Sequence, residues 1–356
     1  MNFSAADHAH MARALRLAER GLDTTTPNPR VGCVLVKDDL VVGEGWHQRA
    51  GEAHAEVHAL RQAGAAARGA TAYVTLEPCS HYGRTPPCAD ALIDAGITRV
   101  VVAMRDPNPL VAGEGLARLM LAGVQVSGGL LESEALSLNV GFISRMTRRS
   151  PWVRLKVAAS LDGKTALNNG KSQWITGPEA RRDAHAWRAR SCAILTGYGT
   201  VRDDDPSLTV RDVPCTRQPL RVVVDSRLET PPTAKVLAGG NTLIFAASAG
   251  SLPGAEVVVL PNRAGKVDLA AMLRELGRRG INELLVEAGM RLNGSLLAEG
   301  LVDELLIYQA PILLGDSARG MFGLPELSDL AGAKRLNVIE RRFVGSDQFL
   351  RARLGQ

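Results

Sequence analysis

Three side chains of the kind that hold metal ions stand far apart in this chain: His54, Cys79 and Cys88. A fold that uses them together must bring the start of one helix, the end of a strand and the start of a second helix to one point. The surrounding pattern predicts those elements. His54-Ala55-Glu56 lies at the head of an expected helix from about Ala53 to Ala63. Pro78-Cys79 follows an apolar strand over Thr71–Leu76, and Cys88 opens a helix over Ala89–Ala95. The positive end of that helix favours a thiolate.

One imidazole and two thiolates suit Zn²⁺ and leave its fourth tetrahedral position open. Zinc there lowers the pKa of water enough for hydrolytic attack at neutral pH. Glu56, two residues after His54 and not a ligand, is the candidate to carry protons from the water to a ring nitrogen and a departing amine. This is the chemistry of zinc deaminases acting on pyrimidine-like rings. A lone His-x-Glu carries little weight. Two cysteines nine residues apart also suit a closed structural zinc site or two unrelated thiols. Joined in this order the three favour a catalytic ion, because a structural one would want a fourth protein ligand. His58, on the same helical face as His54, is a conceivable fourth ligand or a packing group. His47 and His81 read as polar lining, and Cys33, Cys192 and Cys215 as core or surface thiols.

Nucleoside and nucleic-acid deaminases carry Pro-Cys-x-x-Cys. Here the eight residues Ser80–Pro87 separate the thiolates, and His81, Arg84 and Thr85 within them suit a phosphate. A free phosphorylated metabolite fits that loop better than a flipped base.

The first half alternates helices with strands. Helices are expected at Ala9–Arg20, Gly115–Ala122 and Glu132–Phe142, besides the two above. Further strands are expected at Gly32–Lys37, Leu40–Gly45, Arg99–Ala103 and Val124–Ser127, with Asp38-Asp39 as a hairpin turn. Such alternation predicts a three-layer α/β sandwich. A boundary falls at Arg148-Arg149-Ser150-Pro151, dividing the chain into 1–149 and 150–356. The basic run Arg145–Arg149 reads as a solvated linker. After it come strands at Trp152–Ala159, Ala193–Thr196, Arg221–Asp225, Thr242–Ala246, Glu256–Leu260, Glu283–Glu287 and Glu304–Ala310. Helices are expected at Pro178–Arg190, at Asp268–Arg278 and from about Gly294. A length of 356 residues agrees with two domains at about 150 residues each.

The balance of 42 basic against 37 acidic residues gives +5, with no basic stripe of the kind nucleic acids require. Residues 1–22 lack the apolar run of a secretion signal, and no run approaches the roughly 18 residues of a membrane span. Five irregularly spaced cysteines imply a reducing compartment. The expectation is a cytoplasmic enzyme of a small molecule, with no nucleic-acid or membrane partner.

In the second half, Gly197-Tyr198-Gly199 follows a strand but has Arg202 where a dinucleotide fingerprint needs its third glycine. Val286-Glu287-Ala288-Gly289, leading to Arg291 and Asn293-Gly294-Ser295, is a better anion site, because free N–H groups at a helix start attract phosphate. An ordinary strand-to-helix turn explains it as well.

His54–Leu60 (HAEVHAL), Thr75–Cys88 (TLEPCSHYGRTPPC), Pro27–Val34 (PNPRVGCV) and Asp106–Gly113 (DPNPLVAG) closely resemble the bacterial bifunctional riboflavin-biosynthesis deaminase–reductases. Lys156–Ala166, Ser172–Gly177 and Asp204–Arg211 extend the resemblance across nearly the whole chain. It implies a cytidine-deaminase-like sandwich followed by a dihydrofolate-reductase-like domain. The implied cofactors are Zn²⁺ and NADPH, the substrate a phosphorylated pyrimidine, and the assembly a homo-oligomer, dimer or tetramer. Zinc is implied at His54, Cys79 and Cys88, with Glu56 as proton donor. Asn28 in the PNPRVG turn is a candidate pyrimidine contact, a plain turn role accounting for it equally. The matching NADP contacts are Ala158, Trp174, Thr200, Asp204, Ser226 and the loop Gly289, Met290, Arg291, Leu292, Asn293, Gly294 and Ser295. The matching substrate contacts are Ser172, Arg188, Leu208, Arg211 and Glu287, the two arginines being suited to clamp a 5′-phosphate. Ser226, beside Arg227, suits the cofactor's 2′-phosphate. Lys156, with Asp204 and Glu287, is expected to handle the protons of sugar ring opening. Two rivals compete with this reading: a nucleoside or tRNA deaminase fused to an unrelated reductase, and a scaffold with a degenerate deaminase half. The long cysteine loop argues against the first, and the retained Glu56 with all three ligands argues against the second.

Overall fold

The computed structural model describes residues 3–81, 86–109 and 111–355. It divides into two compact units, Met1–Arg149 and Ser150–Gln356.

In the first unit, α1 (Ala5–Glu19) begins at a reciprocal cap. The Asp7 N–H donates to Ser4 Oγ at 3.0 Å and the Ser4 N–H donates to Asp7 Oδ2 at 2.9 Å. β1 (Gly32–Lys37) and β2 (Leu40–Trp46) form an antiparallel hairpin. Asp38 and Asp39 turn it at φ of 50° and 60°, the left-handed pair a two-residue turn requires. Then follow α2 (Ala55–Ala63), β3 (Thr71–Val74), α3 (Cys88–Asp94), β4 (Arg99–Val102), α4 (Glu114–Leu121), β5 (Gln125–Gly128), α5 (Glu132–Leu138) and α6 (Val140–Arg148). The sheet order is β2-β1-β3-β4-β5, with β3, β4 and β5 parallel.

Alternation along the strands builds both apolar layers. Cys33, Leu35, Val74 and Val102 pack against α2, α3 and α4, while Val34, Val36, Tyr73 and Val101 pack against α1 and α5. This is the three-layer sandwich that the alternation predicts. Two readings need correction. The helix expected over Glu132–Phe142 is two helices broken at Asn139. That side chain accepts from the Arg30 N–H at 2.8 Å and donates to the Arg30 carbonyl at 3.0 Å, which holds its backbone out of the helix. Arg145 and Arg148 are not linker; they close α6, where cations complement the helix dipole.

The second unit runs β6 (Trp152–Ser160), β7 (Lys164–Ala166), α7 (Pro178–Arg190), β8 (Ala193–Gly197), α8 (Tyr198–Asp204), β9 (Leu220–Val224), β10 (Thr242–Ala246) and β11 (Glu256–Val259). It continues with α9 (Leu269–Arg278), β12 (Glu283–Val286), α10 (Met290–Ala298), β13 (Glu304–Ala310), β14 (Arg319–Gly320), β15 (Leu336–Val344) and β16 (Asp347–Leu354). Nine strands form one sheet in the order β11-β10-β9-β8-β12-β6-β13-β16-β15, parallel through β13 and antiparallel beyond it. Helices cover both faces, as the mixed sheet of the implied reductase fold requires. The sequence reading omits α8, β7, β14 and the terminal hairpin β15–β16. α10 starts at Met290 rather than Gly294, because Gly289 caps it in extended conformation. The expected Gly289–Ser295 loop is therefore a cap and the first turns of a helix.

At the amino ends of β6, β12 and β13, fully buried Arg154 bridges Glu283 and Glu304, the latter at 2.5 Å. Arg190 joins Glu283 at 3.0 Å and Arg351 joins Glu304 at 2.7 Å, so both buried carboxylates carry two cations. Unpaired, such charges would cost several kcal/mol each. This network fixes the sheet from the end opposite the carboxyl ends of its strands.

α2 lies unusually close to β2. A Cβ on Gly45 would stand 2.5 Å from His58 Cβ and 2.6 Å from the Ala55 carbonyl, and one on Gly43 would stand 2.3 Å from the Ala59 carbonyl. Gly45→Ala is expected to lift α2 and to cost about 1–3 kcal/mol. Amide hydrogen exchange should then quicken at least roughly fivefold across Ala55–Ala63, as about 1 kcal/mol implies; unchanged exchange there would refute the packing argument.

Candidate functional site

The α2 seat sets the first site. His54 is the N-cap of α2 in extended conformation, and its side chain makes no cap hydrogen bond. The ring points instead at the two sulfurs, with Nδ1 at 3.2 Å from Cys88 Sγ and 3.6 Å from Cys79 Sγ. The Cys88 N–H, at the start of α3, donates to Cys79 Sγ at 3.3 Å. The three ligand atoms all lie within 4.8 Å of one another. Tetrahedral ligands at about 2.1 Å (N) and 2.3 Å (S) from zinc would stand about 3.6–3.8 Å apart, close to this geometry. His58 falls outside the cluster.

The donor set also fits a cation electrostatically. The thiol of Cys88 holds the Cys79 thiolate, whose pKa falls to about 4, while the same contact and burial raise Cys88. Two sulfurs sharing one proton occupy the place where a soft divalent ion would release it. Glu56, in the first turn of α2, is 3% exposed. Burial first, then the neighbouring Cys79 charge, push its carboxyl up to about 7. It can therefore both hold and release a proton near neutrality.

These groups open on a cavity of about 630 Å³ whose lining includes Asn28, His47, Glu56, His81, Asp106 and Asn108. His47 Nδ1 lies 3.1 Å from the Ala53 carbonyl, to which it donates. Its Nε2 is then an acceptor, taking a hydrogen bond from Asn28 Nδ2 at 3.0 Å. Asn28, which lines the cavity, is thus held through its amide nitrogen, more than a turn residue needs. Arg84 and Thr85, named for a phosphate, lie outside the described residues.

Sequence reasoning missed Glu77. Its buried carboxylate accepts from the N–H groups of Asp106 (3.1 Å), Gly113 (2.9 Å), Gly115 (2.9 Å) and Leu116 (3.3 Å). It ties the Asp106–Gly113 segment over the cavity. A lone glutamate inside a longer motif carries no spacing signal for such a role.

In the second unit the candidates gather at the carboxyl ends of parallel strands, where open α/β sheets bind ligands. Glu287 follows β12 and takes a bidentate pair from Arg188 of α7 at 2.6 and 2.8 Å. Arg188 Nη1 also donates to the Thr209 carbonyl at 3.0 Å, so three of its donors are engaged within the protein. Burial alone would raise Glu287, but Arg188 and Lys156 outweigh it and hold the carboxyl at about 2. Lys156 lies mid-strand in β6 with Nζ 5.9 Å from the Tyr308 ring centre; burial lowers its pKa against the pull of Glu287.

Asp204 accepts from Ser172 Oγ at 2.7 Å. Thr200 of α8 faces the α10 cap: a Cβ on Gly289 would stand 3.8 Å from its Oγ1. Asn293 is buried and donates to the Ala288 and Met321 carbonyls at 3.1 and 3.3 Å, and a Cβ on Gly294 would meet the Gly323 carbonyl oxygen at 2.3 Å. The Ser295 hydroxyl bonds the Arg291 carbonyl at 3.1 Å. These contacts occupy Asn293, Gly294 and Ser295 within the protein, whereas Arg291 is exposed and the N–H groups of Met290 to Leu292 lie in the first turn, which has no intrahelical partner for them. Leu292 packs near Gly197, Ser226 Oγ accepts from the Val267 N–H at 3.2 Å, and Trp174 is exposed under Arg181 at 4.6 Å. Ala158 is half-buried in β6, Leu208 is buried at φ 49°, and Arg211 is exposed.

Two family models match the chain: the cytidine and deoxycytidylate deaminase zinc-binding region over residues 4–104, and the RibD C-terminal domain over residues 151–347. Riboflavin biosynthesis protein RibD of Escherichia coli K12 is 53% identical, covering 96% of this chain and 97% of its own. The Haemophilus influenzae protein of the same name is 49% identical over 98% and 97%. A solved Acinetobacter baumannii RibD superposes with a TM-score of 0.92 at 46% identity, covering 99% of both chains. The Thermotoga maritima diaminohydroxyphosphoribosylaminopyrimidine deaminase/5-amino-6-(5-phosphoribosylamino)uracil reductase does so at 0.89 and 35%, covering 98% and 99%.

Metal analysis of variants tests the first site. Cys88→Ser is expected to lose most bound zinc, and Glu56→Gln to keep it at wild-type stoichiometry while deamination falls at least about a hundredfold. Loss of metal from Glu56→Gln would make Glu56 a ligand and refute the assignment.

Proposed function

The chain belongs to the RibD family of bifunctional riboflavin-biosynthesis deaminase–reductases, and from that membership we propose how its residues divide the two reactions. The enzyme deaminates 2,5-diamino-6-ribosylamino-4(3H)-pyrimidinone 5′-phosphate and then reduces the ribosyl group to ribityl with NADPH, giving 5-amino-6-ribitylamino-uracil 5′-phosphate. The observation that carries the first half of the reading is the convergence of His54, Cys79 and Cys88 beside buried Glu56.

His54, Cys79 and Cys88 hold the zinc, which when bound supplies an acidified water. Glu56 would carry two protons in turn, the first from the water to the ring nitrogen as the hydroxyl adds to the ring carbon, the second from that hydroxyl to the amine, which leaves as ammonia. Asn28, fixed through His47, orients the pyrimidine with its amide oxygen, a donor-specific contact that resists rotation of the ring.

NADPH, when bound, would supply the hydride for the second reaction. The residues proposed to receive it are Thr200, Asp204, Ser226, Ala158, Trp174 and the N–H groups at the head of α10. Hydride reaches the anomeric carbon only once the sugar ring has opened to the imine. Glu287, kept anionic by Arg188, holds sugar hydroxyls rather than donating protons. Lys156 is the member of that pair able to give and take a proton, because burial eases its deprotonation. Ser172, Leu208 and Arg211 complete the substrate contacts, with Arg211 on the 5′-phosphate.

The assembly is a homo-oligomer: Leu336, Val338, Ile339 and Phe343 expose an apolar row along the edge strand β15, an edge that solvent alone leaves unprotected. Among the described residues no helix is long and apolar enough to cross a membrane, and the five free thiols suit the reducing cytoplasm.

With the diaminopyrimidinone phosphate as substrate, NADPH oxidation should require both zinc and Glu56, and a supplied deaminated intermediate should bypass both. Chelator-resistant oxidation from the first substrate would overturn the division of labour. Lys156→Ala should leave NADPH affinity within about twofold and slow reduction of the intermediate at least about a hundredfold; full-rate reduction would remove Lys156 from the mechanism.

A further inference from the structure

The turn Ser207–Arg211 carries two of the proposed substrate contacts on a short irregular segment, and the structure shows what keeps it in shape. α7 supplies one side of a frame. Arg188 donates to the Thr209 carbonyl at 3.0 Å. One turn earlier on the same face, the His185 ring accepts the Arg211 N–H through Nδ1 at 3.2 Å. The other side is Gln218, which accepts the Val210 N–H at 2.8 Å and donates to the Val210 carbonyl at 2.9 Å. Three consecutive residues are thereby tied through their backbones. The Arg211 side chain on the last of them is exposed, and its Nη1 donates to Ser207 Oγ at 3.3 Å.

His185 is 4% exposed, and its hydrogen bonding fixes its tautomer. Because Nδ1 accepts a backbone N–H, the ring proton sits on Nε2, which faces the Asp212 carboxylate at 3.3 Å. The imidazole thus spans two successive residues, holding the amide of one and the side chain of the next. Burial, with Arg188 next, lowers the His185 pKa to about 4, so the ring stays neutral and Nδ1 stays an acceptor.

We propose that His185 is a positioning residue for recognition of the 5′-phosphate in the reductase step: its Nδ1 holds the Arg211 backbone so that the guanidinium is presented to the phosphate. The inference rests on the reading that Arg211 contacts that phosphate. His185 touches neither substrate nor cofactor; it acts through Arg211. Removing its acceptor takes away the protein partner of the partly buried Arg211 N–H and lets the end of the turn relax. The loss should therefore fall on the phosphate and spare the nicotinamide and the sugar.

The test compares the deaminated intermediate with its dephosphorylated counterpart as reductase substrates of the full-length enzyme, with NADPH in excess. Wild type should prefer the phosphorylated form in kcat/KM. Arg211→Ala should abolish most of that preference. His185→Phe, which keeps a ring but no acceptor, should reduce the preference roughly tenfold through KM for the phosphorylated substrate, with kcat/KM for the dephosphorylated one and KM for NADPH within about twofold. His185→Asn, whose amide oxygen reaches the Nδ1 position, should restore it, whereas His185→Gln should not. A merely structural role would lower activity towards both substrates alike. If Arg211→Ala abolishes the preference and His185→Phe keeps it, the positioning role is wrong. If Arg211→Ala keeps the preference, the phosphate reading beneath it fails. Should His185→Phe not fold, the Asn and Gln variants decide: preference kept in the first and lost in the second supports the role, and equal behaviour overturns it.

Discussion

The chemistry of the first unit depends on the close approach of one helix to one strand. α2 can reach β2 because Gly43 and Gly45 offer no Cβ, and the helix backbone occupies the space a side chain would take. That seat fixes where α2 begins. His54 sits at its cap with an uncommitted ring, and Glu56 follows in the first turn, already buried. The two cysteines approach independently, one after β3 and one at the head of α3. A helix lying an ångström further out would move the imidazole and the carboxylate together away from the sulfurs. Ligand spacing and proton carrier therefore share one packing contact, and neither can be tuned alone.

The second unit solves its positioning problem with charge rather than with close packing. Its sheet is pinned at the amino ends of β6, β12 and β13 by Arg154 and its carboxylate partners, and the candidate residues stand at the opposite ends. There the Arg188–Glu287 pair supplies a planar, bidentate reference from which Lys156 and the Thr209 carbonyl are placed. A buried pair of this kind adds little stability compared with an apolar replacement; its value lies in the single geometry it enforces.

What the sequence made legible follows the range of the interactions. The strand-helix alternation and the His54, Cys79, Cys88 and Glu56 constellation are read from local pattern plus the ligand preferences of zinc, and the structure assembles them. The Asp38-Asp39 turn is equally local. Less was legible where a single distant partner decides the outcome. Asn139 breaks a helix because of Arg30, more than a hundred residues earlier in the chain. Glu77 gathers four amides that lie 29 to 39 residues further along the chain. The hairpin β15–β16 escaped because β15 is exposed along most of its length and shows no buried alternation. The reductase contacts came from resemblance, because each depends on neighbours that no local pattern reveals. Asn293, Gly294 and Ser295, for example, make contacts within the protein that the sequence does not show.

Glu56 and Glu287 show why residue type alone could not have separated the two chemistries. Both carboxyls are buried, and burial pushes both towards the neutral form. At Glu56 the nearest charge from the protein is a thiolate, which adds to that push and brings the group to about 7; a bound cation would pull the other way. At Glu287 a guanidinium and an ammonium reverse it and hold the group near 2. By the protein's own groups, then, one carboxyl is pushed towards its neutral form and the other is held as an anion. The second suits an anchor for sugar hydroxyls and not an acid, which is why the proposed proton transfer in the reductase unit is given to Lys156, whose ammonium burial makes easier to deprotonate. The same side chain, given opposite neighbours, is thereby suited to the acid–base role proposed for it in one unit and to the electrostatic anchor proposed in the other.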